Sequence, residues 1–144
     1  MTVAAILKHK GSEVARAAPT DMISDVVRQL SKHRIGAVPV CDATGHLLGI
    51  LSERDVMYAL AMHGPVALDM TAAQVMSTEI TTATRATTVH EAMRAMTDGR
   101  FRHLPVMEEG VLVGIVSIGD VVKLRMMQQE TEVDSLKAYV AGAA

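Results

Sequence analysis

"IGAVPVCDATGHLLGILSERDV", residues 35–56, is the stretch whose reading decides the fold. Two short apolar runs, "GAVPV" and "LLGILS", are joined by a segment containing Gly45. Glycine supplies the positive φ that tight turns need, so the runs predict a β-hairpin. Pro39 lacks an N–H and predicts an edge strand or a strand end at the first run. Ser52 then opens a helical pattern. Residues 101–121, "FRHLPVMEEGVLVGIVSIGDV", repeat the whole arrangement. Arg34 lies over Arg100, Pro39 over Pro105 and Val40 over Val106, all at one constant offset. After the turn Gly45 lies over Gly110, Gly49 over Gly114, Ser52 over Ser117 and Asp55 over Asp120, at an offset one position shorter.

The repeat extends upstream. Val14 lies over Ile80 and Leu30 over Met96, so the copies cover roughly 12–63 and 78–128. An internal repeat of this length sets the architecture before any local assignment. In each copy a short extended piece ("EVARAA", "EITTAT") precedes an amphipathic helix. Ile23, Val26, Val27 and Leu30 follow i, i+3, i+4, i+7 spacing, and so do Val89, Ala92, Met93 and Met96. Ser24 or Asp21 is the expected cap of the first helix, Thr87 or Thr88 of the second. With the hairpin and the helix after Ser52 or Ser117, each unit reads β-α-β-β-α, an α/β (α+β) class. "MHGPVALD", residues 62–69, reads as the linker. Beyond Asp120 one long helix, or a helix plus an amphipathic tail, is expected. Its apolar stripe (Met126, Val133, Leu136, Val140) exceeds what the repeat needs, and a spare stripe points to a partner subunit.

Bulk properties narrow the function classes. The chain has 144 residues, is 49% hydrophobic and contains one Phe, two Tyr and no Trp. The core must therefore come from Val, Leu, Ile, Met and Ala. Eleven Met suit gap-filling and adaptable interfaces. A net charge of −2 gives no electrostatic footprint for nucleic acid. A single cysteine, Cys41, excludes an intrachain disulfide and a Cys-based metal site. Six isolated His residues form no HxH or HExxH pair, so no metal site is expected. The N-terminus has no basic region before its apolar run, and no stretch approaches a membrane span. A cytoplasmic protein without a membrane segment is the expectation. No GxSxG, Walker A or GxGxxG motif is present, so no enzymatic role is expected.

The tandem pattern resembles the cystathionine β-synthase (CBS) domain pair, or Bateman module. "TAAQVMSTEI", residues 71–80, is similar to the short helix that introduces the second copy in that family, and "TVAAILKHKG", residues 2–11, is a weaker version before the first. The boundaries expected are 1–66 and 67–128, each repeat with its lead-in helix, and a helical tail over 129–144. At 144 residues the chain reads as a stand-alone pair with no attached catalytic domain. The resemblance implies two copies packed with pseudo-twofold symmetry. It also implies a cleft for an adenosyl ligand (AMP, ADP, ATP, NAD or S-adenosylmethionine), a homodimer, and a regulated partner protein.

Ser-x-x-Asp carries two readings. Ser followed three residues later by an acid, just before a helix, is a capping box. The shorter Asp fits the reciprocal bond less well than Glu, which predicts that it faces outward. The N-terminus of a helix also suits phosphate. The resemblance assigns the Asp to ribose and the Ser to phosphate, position by position: Asp55 and Asp120, Ser52 and Ser117. Both roles can coexist. Arg54, between Ser52 and Asp55, is expected to offset Glu53. Gly119 is expected to let a phosphate approach the second site more closely, so that Asp120→Ala costs more affinity than Asp55→Ala. Arg100, Arg102 and His103 are read as cleft residues or as a solvated strand edge. For Arg34 and His33 the helix end alone is a sufficient reason. The purine slot is expected from Val14, Ala37, Val38 and Pro39 in one copy and Ile80, Leu104 and Pro105 in the other.

Overall fold

The computed structural model describes residues 1–11 and 13–143. The first repeat contains helix α2 (Ile23–His33), strands β1 (Ala37–Cys41) and β2 (Leu47–Ser52), and helix α3 (Glu53–His63). The second contains α5 (Val89–Gly99), β3 (His103–Glu108), β4 (Val111–Ser117) and α6 (Ile118–Ala143). Short helices α1 (Val3–Lys10) and α4 (Ala72–Val75) precede the repeats, and a 3-10 turn spans Gly64–Asp69. The mixed helix and strand class expected from the pattern is the class observed.

Both hairpins form in the same register. Pro39 pairs with Ile50 and Pro105 with Ile115, and each hairpin shifts register one step later, at Val40/Cys41 and Val106/Met107. Gly45 and Gly110 take positive φ in the turns. The expected first strand of each repeat shrinks to one residue. Ala17 bridges Val40 and Ala83 bridges Val106, both in parallel. The Ala17 N–H donates to the Pro39 carbonyl at 3.0 Å, and Ala83 does the same to Pro105 at 2.8 Å. Each proline thus turns its bonding edge away from its hairpin partner, where the missing N–H costs no ladder bond.

Thr88 caps α5 with a reciprocal Glu91 bond, as expected. Neither Ser24 nor Asp21 caps α2. Its N-cap is Met22, without a side-chain bond, and Asp21 instead accepts from the Ala18 N–H. The cap at this end is supplied by tertiary contact: the Ile23 N–H donates to the Met70 carbonyl at 2.9 Å.

Two apolar cores form, and here chain order and packing part company. Val3, Ile6 and Leu7 of α1 are buried with Ala83, Ala92, Leu104, Val116 and Val121 of the second repeat. Ala72 of α4 is buried with Val26, Val38, Leu51 and Val56 of the first. Each lead-in helix therefore packs on the other repeat, not on the one that it precedes in the chain. This exchange ties the two repeats together. Arg16 adds a polar tie, donating to the Leu112 carbonyl at 3.1 Å.

Candidate functional site

The exchange leaves two clefts between the repeats. The first, of about 250 Å³, is lined on one side by Ser52, Glu53, Arg54 and Asp55 at the start of α3. Facing them are Arg100, Phe101, Arg102 and His103, which lead into β3. Ser77, Ile80, Ala37 and Pro105 complete the wall. The second, of about 450 Å³, sets Ser117 and Asp120 against His33, Arg34, Ile35 and Ala37, with Val14 and Lys10 alongside. Under the repeat alignment these walls correspond, Ser52 with Ser117, Ile80 with Val14, Arg100 with Arg34. Each cleft takes its helix N-terminus from one repeat and its basic corner from the other. His103 lines both.

Local rules place each group. Arg34 and Arg100 terminate α2 and α5 in the left-handed region, at φ 53° and 56°. That conformation costs a non-glycine residue about 1 kcal/mol, and it turns the chain abruptly from helix into β1 or β3 at the cleft mouth. Ser77 bridges Ile50 of β2 in an isolated antiparallel pair, and Ile80, three residues on, lines the same cleft as Ser52.

Both Ser-x-x-Asp turns are complete capping boxes. The Asp55 N–H donates to Ser52 Oγ at 3.2 Å, and the Ser52 N–H returns a bond to Asp55 Oδ2 at 2.8 Å. Ser117 and Asp120 match this at 3.1 and 2.8 Å. The expectation that Asp fits the reciprocal bond poorly and faces outward is corrected. Its carboxylate reaches back, and its other lone pairs meet the cleft. Ser52 Oγ and Ser77 Oγ also donate to Asp55, each at 2.9 Å. At Asp120 the additional donor is Lys10, whose Nζ lies 2.7 Å from Oδ2 and 3.0 Å from the Ile115 carbonyl. Burial works to raise the Asp120 pKa, but the Lys10 and Ser117 hydrogen bonds and the Lys10 charge outweigh it. The carboxyl is held below its ordinary value. Burial pushes the His103 imidazole below its usual pKa, and the Lys10 and Arg102 charges add to the effect against Glu53 and Asp120.

Arg54 spans the first cleft, donating to the Arg100 carbonyl at 3.1 Å. Arg102 stands 3.7 Å from Glu53, but both are well exposed, so the pair adds little. Among the residues expected from sequence, Val38 and Leu104 are corrected. They alternate inward on β1 and β3 and are buried in the two cores. Pro39 is fully buried and lines neither cleft. Gly119 lines a surface groove with Val122 and Met126, and a Cβ on it would stand 3.6 Å from Ser117 Oγ. Lys10, Ser77 and Phe101 were missed. Phe101 had a signal, as the single Phe of the chain at the repeat offset from Ile35. Lys10 had none, because only the packing of α1 on the second repeat carries it to Asp120.

Against known proteins, the CBS domain family model matches residues 11–62 and 72–126, and the chain belongs to this family. Its relatives include the CBS domain-containing protein CBSX3, mitochondrial, of Arabidopsis thaliana, 32% identical over 98% of this chain and 72% of that protein. The crystal structure of the CBS-domain containing protein ATU1752 from Agrobacterium tumefaciens superposes with a TM-score of 0.84 at 42% identity, covering 87% of this chain and 99% of that one. The CBS domain pair of protein MJ0100, solved in complex with 5′-methylthioadenosine and S-adenosyl-L-methionine, superposes at 0.79 with 26% identity, covering 89% and 98%. Among the described residues no helix is long and apolar enough to cross a membrane.

Proposed function

We propose that the chain is a regulatory module that binds an adenosyl nucleotide in the clefts between its repeats and passes occupancy on to a partner protein. The observation that carries this reading is the duplicated wall. A capped helix N-terminus with a Ser and an Asp faces an apolar residue (Ile80 or Val14) and a basic corner (Arg100 and Arg102, or His33 and Arg34) from the opposite repeat. Ser Oγ and the helix N-terminus suit phosphate, and the Asp carboxylate suits a ribose diol. Arginine pairs with phosphate in a bidentate fork. The adenosyl ligands of the MJ0100 pair support the ligand class. AMP, ADP, ATP, NAD and S-adenosylmethionine are the candidates. Because the walls of each cleft come from different repeats, a ligand that binds one inter-repeat angle better than another shifts that angle by its differential affinity.

We take 1–66 and 67–128 as the two repeats in chain order, followed by the tail. The exposed apolar faces of α3 (Met57, Tyr58) and α6 (Val122, Met126) support a homodimer. One observation favours a second reading, a structural module without ligand: both Asp carboxylates already hold donors from their own chain. Calorimetry with the five candidates decides between them. Micromolar binding by at least one, weakened tenfold or more in Asp55→Ala or Asp120→Ala, is expected. No heat from any of the five overturns the nucleotide reading.

A further inference from the structure

Helix α6 continues well past the body of its repeat. Val121 and Leu124 are the last residues it buries in the core, yet the helix runs on to residue 143. At about 1.5 Å per residue this leaves an arm of roughly 30 Å. Along it, Val122, Met126, Gln129, Val133, Leu136 and Val140 are spaced 4, 3, 4, 3 and 4 apart. That is a heptad seam, with a positions at 126, 133 and 140 and d positions at 122, 129 and 136. The seam is turned away from the face that packs on the core. Its apolar members are exposed, from 48% at Val122 and Val133 to 63% at Leu136.

The flanking charges set the orientation at full overlap. The e positions hold Lys123, Glu130 and Lys137, and the g positions hold Arg125 and Glu132. Two copies laid parallel and in register set Arg125 against Glu130 of the second copy and Glu132 against Lys137, each pair occurring twice. Turned end for end at full overlap, the same helices set Glu130 on Glu130, Glu132 on Glu132 and Lys123 on Lys137. Valine at two of the three a positions and leucine at one d position suit two strands. We infer that the C-terminal arm forms a parallel, in-register, two-stranded coiled coil with a second copy of this chain. The inference rests on the homodimer reading and is independent of nucleotide.

Sedimentation of the full chain without nucleotide measures the mass, and oxidation of Leu136→Cys tests the seam. Cys41 is buried, so the unmodified chain is the control. A dimer that Leu136→Cys locks by a disulfide is expected. Glu130→Lys should weaken the dimer roughly tenfold, and adding Arg125→Glu should restore it, with unchanged circular dichroism. A monomer at high micromolar concentration overturns the dimer and the seam together, and leaves the arm to some other protein. A dimer that ignores Glu130→Lys, or that forms only the mixed disulfide when Met126→Cys and Leu136→Cys chains are combined, overturns the parallel seam alone.

Discussion

Replacing Lys10 with Met removes one charge from the second cleft and keeps most of the apolar stem. Lys10 Nζ lies 2.7 Å from Asp120 Oδ2, with side-chain exposures of 36% and 24%. Coulomb's law at that separation gives about 1.5 kcal/mol at the dielectric of water and about 6 kcal/mol at an effective value near 20. Solvent screening at this exposure and the entropy of fixing a lysine offset most of the larger figure. A net loss of about 1–2 kcal/mol at pH 7 is expected, a fall in Tm of roughly 3–6 °C for a chain of this size. The sign with pH follows from Asp120. Its folded pKa is depressed, so the stability it contributes is present above the unfolded value, about 3.9, and is lost as pH falls through the folded value. Urea denaturation of both proteins should therefore show a constant gap from neutral pH down to about pH 5. The gap should close as the pH falls further, and it should narrow in high salt. Equal stability at pH 7, or a gap that persists undiminished at acid pH and high salt, would refute the ion pair as the cause. The persistent gap would assign the loss to packing of the stem.

The remaining predictions concern the first repeat, the hairpins and the shared histidine. Ser52→Ala should cost about 1 kcal/mol by chemical denaturation through loss of the cap, and Ser77→Ala somewhat less, since it removes a single donor to Asp55. Gly49→Ala should destabilise by roughly 1–3 kcal/mol, because its Cβ would stand 2.8 Å from the Ser77 carbonyl oxygen, a backbone atom that cannot step aside. Gly114→Ala should be milder, since there the close neighbour is the end of the Leu7 side chain, which can rotate. Burial depresses the His103 pKa, so stability should decline as pH drops below about 6.5, where the unfolded chain binds the proton first. A phosphate placed beside it should raise its pKa. Calorimetry near pH 6 in two buffers of different ionisation heat should then show proton uptake with ATP that His103→Asn abolishes.

Much of the architecture was legible because it is written twice. A hairpin with glycine in its turn, a proline at a fixed place and an apolar helix before it predict one unit locally, and the near-constant offset between matching positions predicts two. The Ser-x-x-Asp pairs were visible for the same reason, and their capping geometry depends only on near neighbours in the chain. The purine slot was less legible. Period-2 alternation tells which residues share a face but not which face meets the cleft. Val38 and Leu104 went to the core, while Ala37 and His103, one step earlier, reached the clefts.

By itself, then, the sequence determined the repeat and the turns, narrowed the caps to Ser52, Ser117 and Thr87 or Thr88, and marked the apolar stripe on the terminal arm, all of which depend on spacings within one element or on self-similarity. Tertiary structure alone decided which repeat each lead-in helix serves. Val3, Ile6 and Leu7 are as apolar as any helix face, and nothing in their spacing names the core that buries them. That choice brings Lys10 to Asp120 from the far end of the chain, and it sets each helix N-terminus against the basic corner of the other repeat.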